Sequence, residues 1–211
     1  METRDLSTIV KAYDVRGLVP EEFDEPIARD LGAAFAQVVS APAVVTAHDM
    51  RESSVPLSRA FAEGVLSQGV DVVETGLGST DMLYFASGSL DLPGAMFTAS
   101  HNPAQYNGIK LCRAGATPIG ADTGLREIQR MAEAGPLQPG PRLCGARTQD
   151  MLLPYADFLR GLVDLRANRP LSVVVDAGNG MGGYTVPAVL ADLPLTVIPM
   201  FFELDGSCPH H

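Results

Sequence analysis

The sequence predicts an α/β fold: a mixed β-sheet flanked by helices, followed by the start of a second similar α/β unit. Short β-branched runs alternate with segments whose apolar residues keep helical spacing, as strands linked by crossover helices do. Two later runs are joined through a loop rather than a helix, which brings an antiparallel pair into the sheet. After the Pro- and Gly-rich stretch GPLQPGPRLCG at 135–145, the strand and helix pattern begins again.

From Pro26 to Val39, the residues Ile27, Leu31, Ala34, Phe35, Val38 and Val39 form one helical face, with Pro26 in the first turn, where its missing N–H is tolerated. AVVTAHD is a strand that delivers His48 and Asp49 to its C-terminal end. Ser53 or Ser54 is expected to cap a second helix carrying Leu57, Ala60, Phe61, Gly64 and Val65, which Gly69 stops. VDVVETG is the next strand, STDMLYFASG a short helix opened by Ser79 or Thr80, and GAMFTAS a third strand. GIKLCRA is a fourth strand, leaving an Asn-Gly pair of the kind that turns hairpins. A helix spans Asp122 to Ala134. Beyond the linker come a helix with Leu152, Tyr155, Leu159 and Leu162, the strand LSVVVDAG, the turn NGMGG, a helix to about Leu193 and the strand LTVIPMFFELDG. Residues 1–140 are expected to form one domain and 141–211 part of a second, too short to close a core of its own.

Composition narrows the class of function. The 211 residues are 46% hydrophobic, with a mean hydropathy of +0.12, which is enough apolar material for a sizeable core. A formal charge of −10 and a pI near 4.7 argue against a nucleic-acid partner, which is held by clustered basic residues. No apolar run approaches the roughly 20 residues of a membrane helix, and the start METRDLSTIVKAYD lacks the apolar segment of a signal peptide. A cytoplasmic location is the default expectation. Cys112, Cys144 and Cys208 are odd in number and match no zinc or thioredoxin spacing, so reduced thiols are expected. The only lysines, Lys11 and Lys110, each lie beside a segment of chemical interest.

The segment richest in chemistry is TASHNPAQYNGIKL, Thr98 to Leu111. Ser100 stands where an apolar strand stops, at the rim of the sheet, the region in which open α/β folds bind ligands. A serine in that place is by itself more commonly a cap or turn former. Lys110 returns on the partner strand between Ile109 and Leu111. If those two face the core, alternation turns Lys110 to the opposite face and can bring its amine near Ser100. A phosphorylated serine needs cations to offset its charge, donors for its oxygens, and an acid or base for the accepting hydroxyl. Serine, histidine and lysine together suit phosphoryl transfer.

TASHNPAQYNGIKL resembles the active-site loop of the α-D-phosphohexomutases, the family of phosphomannomutase and phosphoglucomutase, whose pattern is T-[AG]-S-H-N-P followed by Y-N-G-x-K. KAYDVRG, Lys11 to Gly17, is similar to the family's N-terminal segment. AHDMRESS, GLGSTDMLYFAS, VVVDAGNGMGG and FFELDGSCPHH resemble successive family segments in the right order, with Cys208 where an aromatic residue is usual. The glycines of DAGNGMGG do not make the G-x-G-x-x-G of a dinucleotide site and read as a tight strand-to-helix turn. His210 and His211 could suggest metal binding or a tag remnant, yet the family often has a proline and histidine after its E-L-D-G segment.

The resemblance implies a phosphorylated Ser100 that also serves as a metal ligand, Lys110 as general acid or base, and His101, Arg16 and Tyr13 as contacts of the phosphoserine and substrate. It implies a phosphosugar substrate, Mg²⁺ and a hexose 1,6-bisphosphate intermediate, with hexose 1-phosphate and 6-phosphate interconverted. The family's D-G-D-x-D-R metal loop, its sugar-reading loop and its R-x-S-G-T segment do not occur in these residues. The chain is therefore expected to be the N-terminal portion of a longer enzyme, lacking domains III and IV and inactive alone. The rival expectation is a non-catalytic interaction or regulatory protein derived from the same fold. A serine hydrolase fits poorly, since neither G-x-S-x-G nor S-x-x-K occurs.

Overall fold

The computed structural model describes residues 4–140 and 142–207. Cys208, His210 and His211 lie outside the described residues. The first strand, β1 (Val15–Leu18), leads into α1 (Glu25–Val39), β2 (Ala43–His48), α2 (Ser54–Ser67), β3 (Asp71–Leu77), α3 (Thr80–Leu90), β4 (Gly94–Phe97) and β5 (Tyr106–Arg113). The short β6 (Thr117–Pro118), α4 (Leu125–Glu133) and β7 (Ala146–Thr148) complete the first sheet. Its order is β1-β5-β4-β2-β3-β7, with β6 pairing the far end of β5. Only β5 runs against its neighbours. Three strands escape the sequence reading: β1, β6, and β7, which returns to the first sheet after the linker.

The period of two along each strand sorts residues between two layers. Val44, Val72, Ala95, Phe97 and Ile109 pack under α1, α2 and α4, where Phe61 lies 5.7 Å from Phe35 and 5.4 Å from Phe97 between ring centroids. Val45, Ala47, Val73 and Met96 face the other way, against Leu83 and Ala86 of α3 and against Met151. Asp24 caps α1 by accepting from the Ile27 N–H at 2.8 Å, and Ser79 caps α3 by accepting from the Met82 N–H at 3.2 Å. Ser53 occupies the cap position of α2 with helical rather than extended backbone angles and makes no side-chain cap bond; its hydroxyl accepts from the Asn107 amide. Asn107-Gly108 is not a turn: both residues lie inside β5, opposite Gly17 and Arg16 of β1.

The second unit consists of α5 (Leu152–Leu162), β8 (Leu171–Asp176), α6 (Gly182–Val189) and β9 (Leu195–Met200), the two strands pairing in parallel. Helix α5 packs on α6 and also touches α3 of the first unit. Among the described residues, no helix is long and apolar enough to cross a membrane.

Helices α1 and α2 approach closely at a crossing that only glycine permits. A Cβ on Gly32 would strike the Phe61 carbonyl oxygen, and one on Gly64 would strike the Arg29 carbonyl oxygen. Both obstacles are backbone atoms and cannot swing aside. Gly32→Ala and Gly64→Ala should each lower stability by about 1–3 kcal/mol, the range for overpacking a fitted core. Urea denaturation checks this, and a change under about 0.5 kcal/mol would mean that the helices can part at no cost.

Cys112 is buried under Gly94, and burial pushes its thiol above the ordinary range despite a hydrogen bond to the Ser87 hydroxyl at 3.4 Å. Less thiolate forms at neutral pH than in an ordinary cysteine. Peptide mapping after iodoacetamide at pH 7.5 should find Cys112 unmodified in the folded chain and alkylated in urea.

Candidate active site

Crossover helices α2 and α3 leave opposite faces of the sheet, so a crevice opens between the C-terminal ends of β2 and β4, where such folds bind ligands. Asp49 and Met50 follow β2 into it, Thr98 and Ser100 follow β4, and Thr80 and Asp81 open α3 beside them. Gly178 and Met181, from the turn before α6, line the same cleft, whose volume is about 840 Å³.

The chain leaves β4 through a folded loop. The Thr98 N–H donates to the Gly108 carbonyl at 3.1 Å, and the Ser100 N–H donates to Thr98 Oγ1 at 3.0 Å. Asn102 donates twice to the Ala99 carbonyl, from its backbone N–H at 3.0 Å and its side-chain amide at 2.7 Å. These bonds hold Ser100 at φ 54°, a left-handed conformation uncommon for a residue with a Cβ. Its side chain is exposed, and its Oγ lies 3.3 Å from His101 Nδ1.

Arg51 holds the loop from beneath. This residue is only 2% exposed, yet its Nη1 donates to the carbonyls of Pro103 and Tyr106 at 2.9 and 3.0 Å, and its Nη2 to those of Ser100 and Asn102 at 2.9 and 2.7 Å. All four terminal N–H groups are thus used on one loop. Its Nε is ion-paired with Asp49 Oδ2 at 3.4 Å without making a hydrogen bond. The other Asp49 oxygen accepts from the Arg51 N–H at 3.0 Å and the Ser54 hydroxyl at 2.6 Å. Asn107, fully buried in β5, donates its side-chain amide to the hydroxyls of Ser53 and Ser54 at 2.8 and 2.9 Å. Asp49, Ser53 and Ser54 therefore support the loop that carries Ser100, and Arg51 is its principal anchor.

Lys110 and Arg16 sit together on another part of the sheet. Ile109 and Leu111 are buried toward α1 and α4, and Lys110 points to the opposite side, as alternation requires. Arg16 pairs across from Gly108, so the two cations share a face. A Cβ on Gly108 would meet the Val15 carbonyl oxygen, which explains glycine opposite Arg16. Asp14 Oδ2 lies 2.5 Å from Arg16 Nη2 and 3.6 Å from Lys110 Nζ. Arg16 is two strands across from Thr98, about 10 Å at the usual strand spacing. Among the described residues, no direct hydrogen bond joins Ser100 to Lys110; the serine hydroxyl contacts His101 and the amine faces Asp14.

Tyr13 is 80% exposed at the tip of a turn in which the Lys11 N–H donates to the Asp14 carbonyl at 2.8 Å, and the turn is braced by the Ala121 N–H on the Ala12 carbonyl at 2.8 Å. The Lys11 amine donates to the Thr8 carbonyl. Magnesium takes about six oxygen ligands in near-octahedral order. Among the described residues, no group of three or more His, Cys, Asp or Glu side chains could hold a metal ion, so these residues do not by themselves make a Mg²⁺ site.

Residues 7–138 match the family described as phosphoglucomutase/phosphomannomutase, alpha/beta/alpha domain I. The chain belongs to that family. A phosphomannomutase of Escherichia coli is 41% identical over 212 residues, covering 96% of the chain and 46% of the relative. Proteins named phosphohexose mutases, from Xanthomonas campestris, are 38% identical over 201 residues, with 95% of the chain and 45% of the relative covered. A solved structure from Burkholderia thailandensis, a phosphoglucomutase/phosphomannomutase family protein, superposes with a TM-score of 0.87 at 32% identity, over 97% of this chain and 46% of that one. The chain thus spans a little under half the length of the relatives it matches.

The sequence pattern singles out Ser100, His101, Lys110, Arg16 and Tyr13 as candidates but not Arg51 or Asp14. Within AHDMRESS, nothing local distinguishes Arg51, and only the fold shows that four carbonyls converge on it. The role of Asp14 depends on the pairing of β1 with β5, which no local pattern announces.

Arg51→Met would leave Asp49 and four carbonyls without their cation, and should cost about 3–5 kcal/mol, as removing one partner of a buried ion pair does. Arg51→Lys keeps the charge but offers three donors for four acceptors, so its loss should be smaller but still measurable. Urea midpoints and amide exchange at Asn102 and Tyr106 measure both. Wild-type stability in Arg51→Met would contradict the anchoring role.

Proposed function

We propose that the chain is the N-terminal part of a phosphohexomutase that interconverts hexose 1-phosphates and 6-phosphates through a phosphorylated Ser100. The observation that carries this reading is the exposed Ser100 hydroxyl, held in a left-handed turn at the crevice of the sheet within a TASHNP sequence. A residue kept in a sparsely populated conformation by surrounding bonds is a mark of functional sites. Residues 1–140 form the serine-bearing domain in this reading, completed by β7 of the following segment, and 141–211 otherwise begin a second.

The hydroxyl oxygen of a bound hexose monophosphate attacks phosphorus on phospho-Ser100. The bond to the new oxygen forms as the bond to Ser100 Oγ breaks; Lys110, an ammonium beside Asp14, gives a proton to the departing serine oxygen and takes up the proton of the attacking hydroxyl. The bisphosphorylated sugar then reorients and returns its other phosphoryl group to Ser100 by the reverse steps. His101, with Nδ1 at 3.3 Å from the serine oxygen, positions that oxygen. Arg16 and Tyr13 position the phosphoryl group and the sugar. Because the chain spans a little under half the length of its relatives, by itself it should turn over little or no substrate.

Incubation with a hexose 1,6-bisphosphate and Mg²⁺, read by intact mass, tests the first half-reaction. The expected result is gain of one phosphoryl group, mapped to Ser100 and absent from Ser100→Ala. In a version extended to the relatives' length, Lys110→Met should slow turnover by about 10²–10⁴-fold, the usual worth of a general acid or base. No phosphoryl gain in that extended version would favour a non-catalytic descendant of the fold.

A further inference from the structure

The charge cluster at β1 and β5 has a member that neither the sequence pattern nor the reaction above assigns. Asp14 stands immediately before β1, and its side chain is 12% exposed, against 28% for Arg16 and 30% for Lys110. Its position is fixed by the backbone. The Lys11 N–H donates to the Asp14 carbonyl, and Val10 bridges to Val15, closing the turn from which Asp14 emerges. The Arg16 N–H donates to the Ile9 carbonyl at 2.7 Å, tying the next strand residue to the same turn. One carboxylate oxygen thereby meets both cations that the proposed chemistry uses, and no other acid is ion-paired with either among the described residues.

We propose that Asp14 is a positioning residue that acts as an internal anion, holding Arg16 and Lys110 together and competing with an incoming phosphoryl dianion for them. The role rests on the reading of Arg16 and Lys110 as phosphoryl contacts. With the anion site empty, the carboxylate keeps two flexible side chains in one place, which limits the ordering that binding must otherwise supply. When a phosphoryl group arrives, it brings more charge and more acceptor oxygens than the carboxylate and draws the cations away from it. Asp14 thus weakens phosphate binding while keeping the site assembled, so a product phosphate is released rather than trapped. A purely structural acid would behave oppositely: its loss would loosen the cations and weaken the anion.

The presence of two lysines makes the test direct, because a chain labelled with ¹³C at the lysine ε-carbon gives two signals, from Lys11 and Lys110. Orthophosphate is titrated at pH 7.5 and constant ionic strength. The expected result is a saturable shift of the Lys110 signal with Lys11 unmoved, and a midpoint at least about threefold lower in Asp14→Asn, as removing a charge in contact with the site predicts. Circular dichroism and a thermal melt establish that the variant is folded, and Asp14→Ser replaces it if it is not. An unchanged or higher midpoint in a folded variant overturns the proposal, as does a parallel response of both lysines, which would mean an adventitious ion only. Repeating the titration in Ser100→Ala separates the two readings. Tighter phosphate in Ser100→Ala/Asp14→Asn upholds Asp14 even if Ser100 never accepts a phosphoryl group, whereas phosphoryl gain at Ser100 with no effect of Asp14→Asn removes the Asp14 role alone.

Discussion

The geometry of the site depends on one buried guanidinium. Four backbone carbonyls between Ser100 and Tyr106 converge on the buried Arg51 guanidinium, which donates to all four. An arginine suits this place because its donors form a rigid planar fork, so fixing one side chain fixes the directions of four bonds. The charge itself is compensated by Asp49, which also ties the start of α2 to the same point. The left-handed turn at Ser100 is thus held by bonds made beneath it, and the serine's own hydroxyl stays exposed to the cleft.

The sheet decides where that clamp can exist. Because α2 and α3 cover opposite faces, the ends of β2 and β4 are left uncovered side by side, and residues following both strands meet there. AHDMRESS and TASHNPAQYNG are about fifty residues apart in the chain yet make one hydrogen-bonded unit, through Arg51 on one side and Asn107 with Ser53 and Ser54 on the other. The antiparallel entry of β5 adds the third component. It brings Lys110 back along the sheet, in register with Met96, and offers its other edge to β1, which carries Arg16. Glycine at 108 lets β1 approach β5 at that point.

Charge is arranged in two layers of different exposure. Arg51 and Asp49 are buried and hold the backbone, a role in which mobility is excluded. Arg16, Lys110 and Asp14 are half-buried, close enough to the surface for the partners to exchange. In the proposed reaction Arg16 and Lys110 meet a ligand, and cations in that role cannot be locked by fourfold bonding of the kind that holds Arg51, since the ligand would then have no bonds to gain.

The sequence by itself determined the alternation of strands and helices, the break at 135–145, and the exposure of Ser100 at a strand end, because these follow from local periodicity and turn chemistry. It also put Lys110 on the face opposite Ile109 and Leu111, since alternation along a strand needs no knowledge of the partner. Tertiary structure alone decided that Asn107-Gly108 pairs with β1 instead of turning, that Ser53 receives an amide proton from Asn107 instead of capping α2, and that β7 returns to the first sheet. Each of these is settled by which distant backbone or side chain arrives as the competing partner. Arg51 and Asp14 belong with them: a charged residue's role depends on what surrounds it in space, and the carbonyls and cations that surround these two come from segments that meet only in the folded chain.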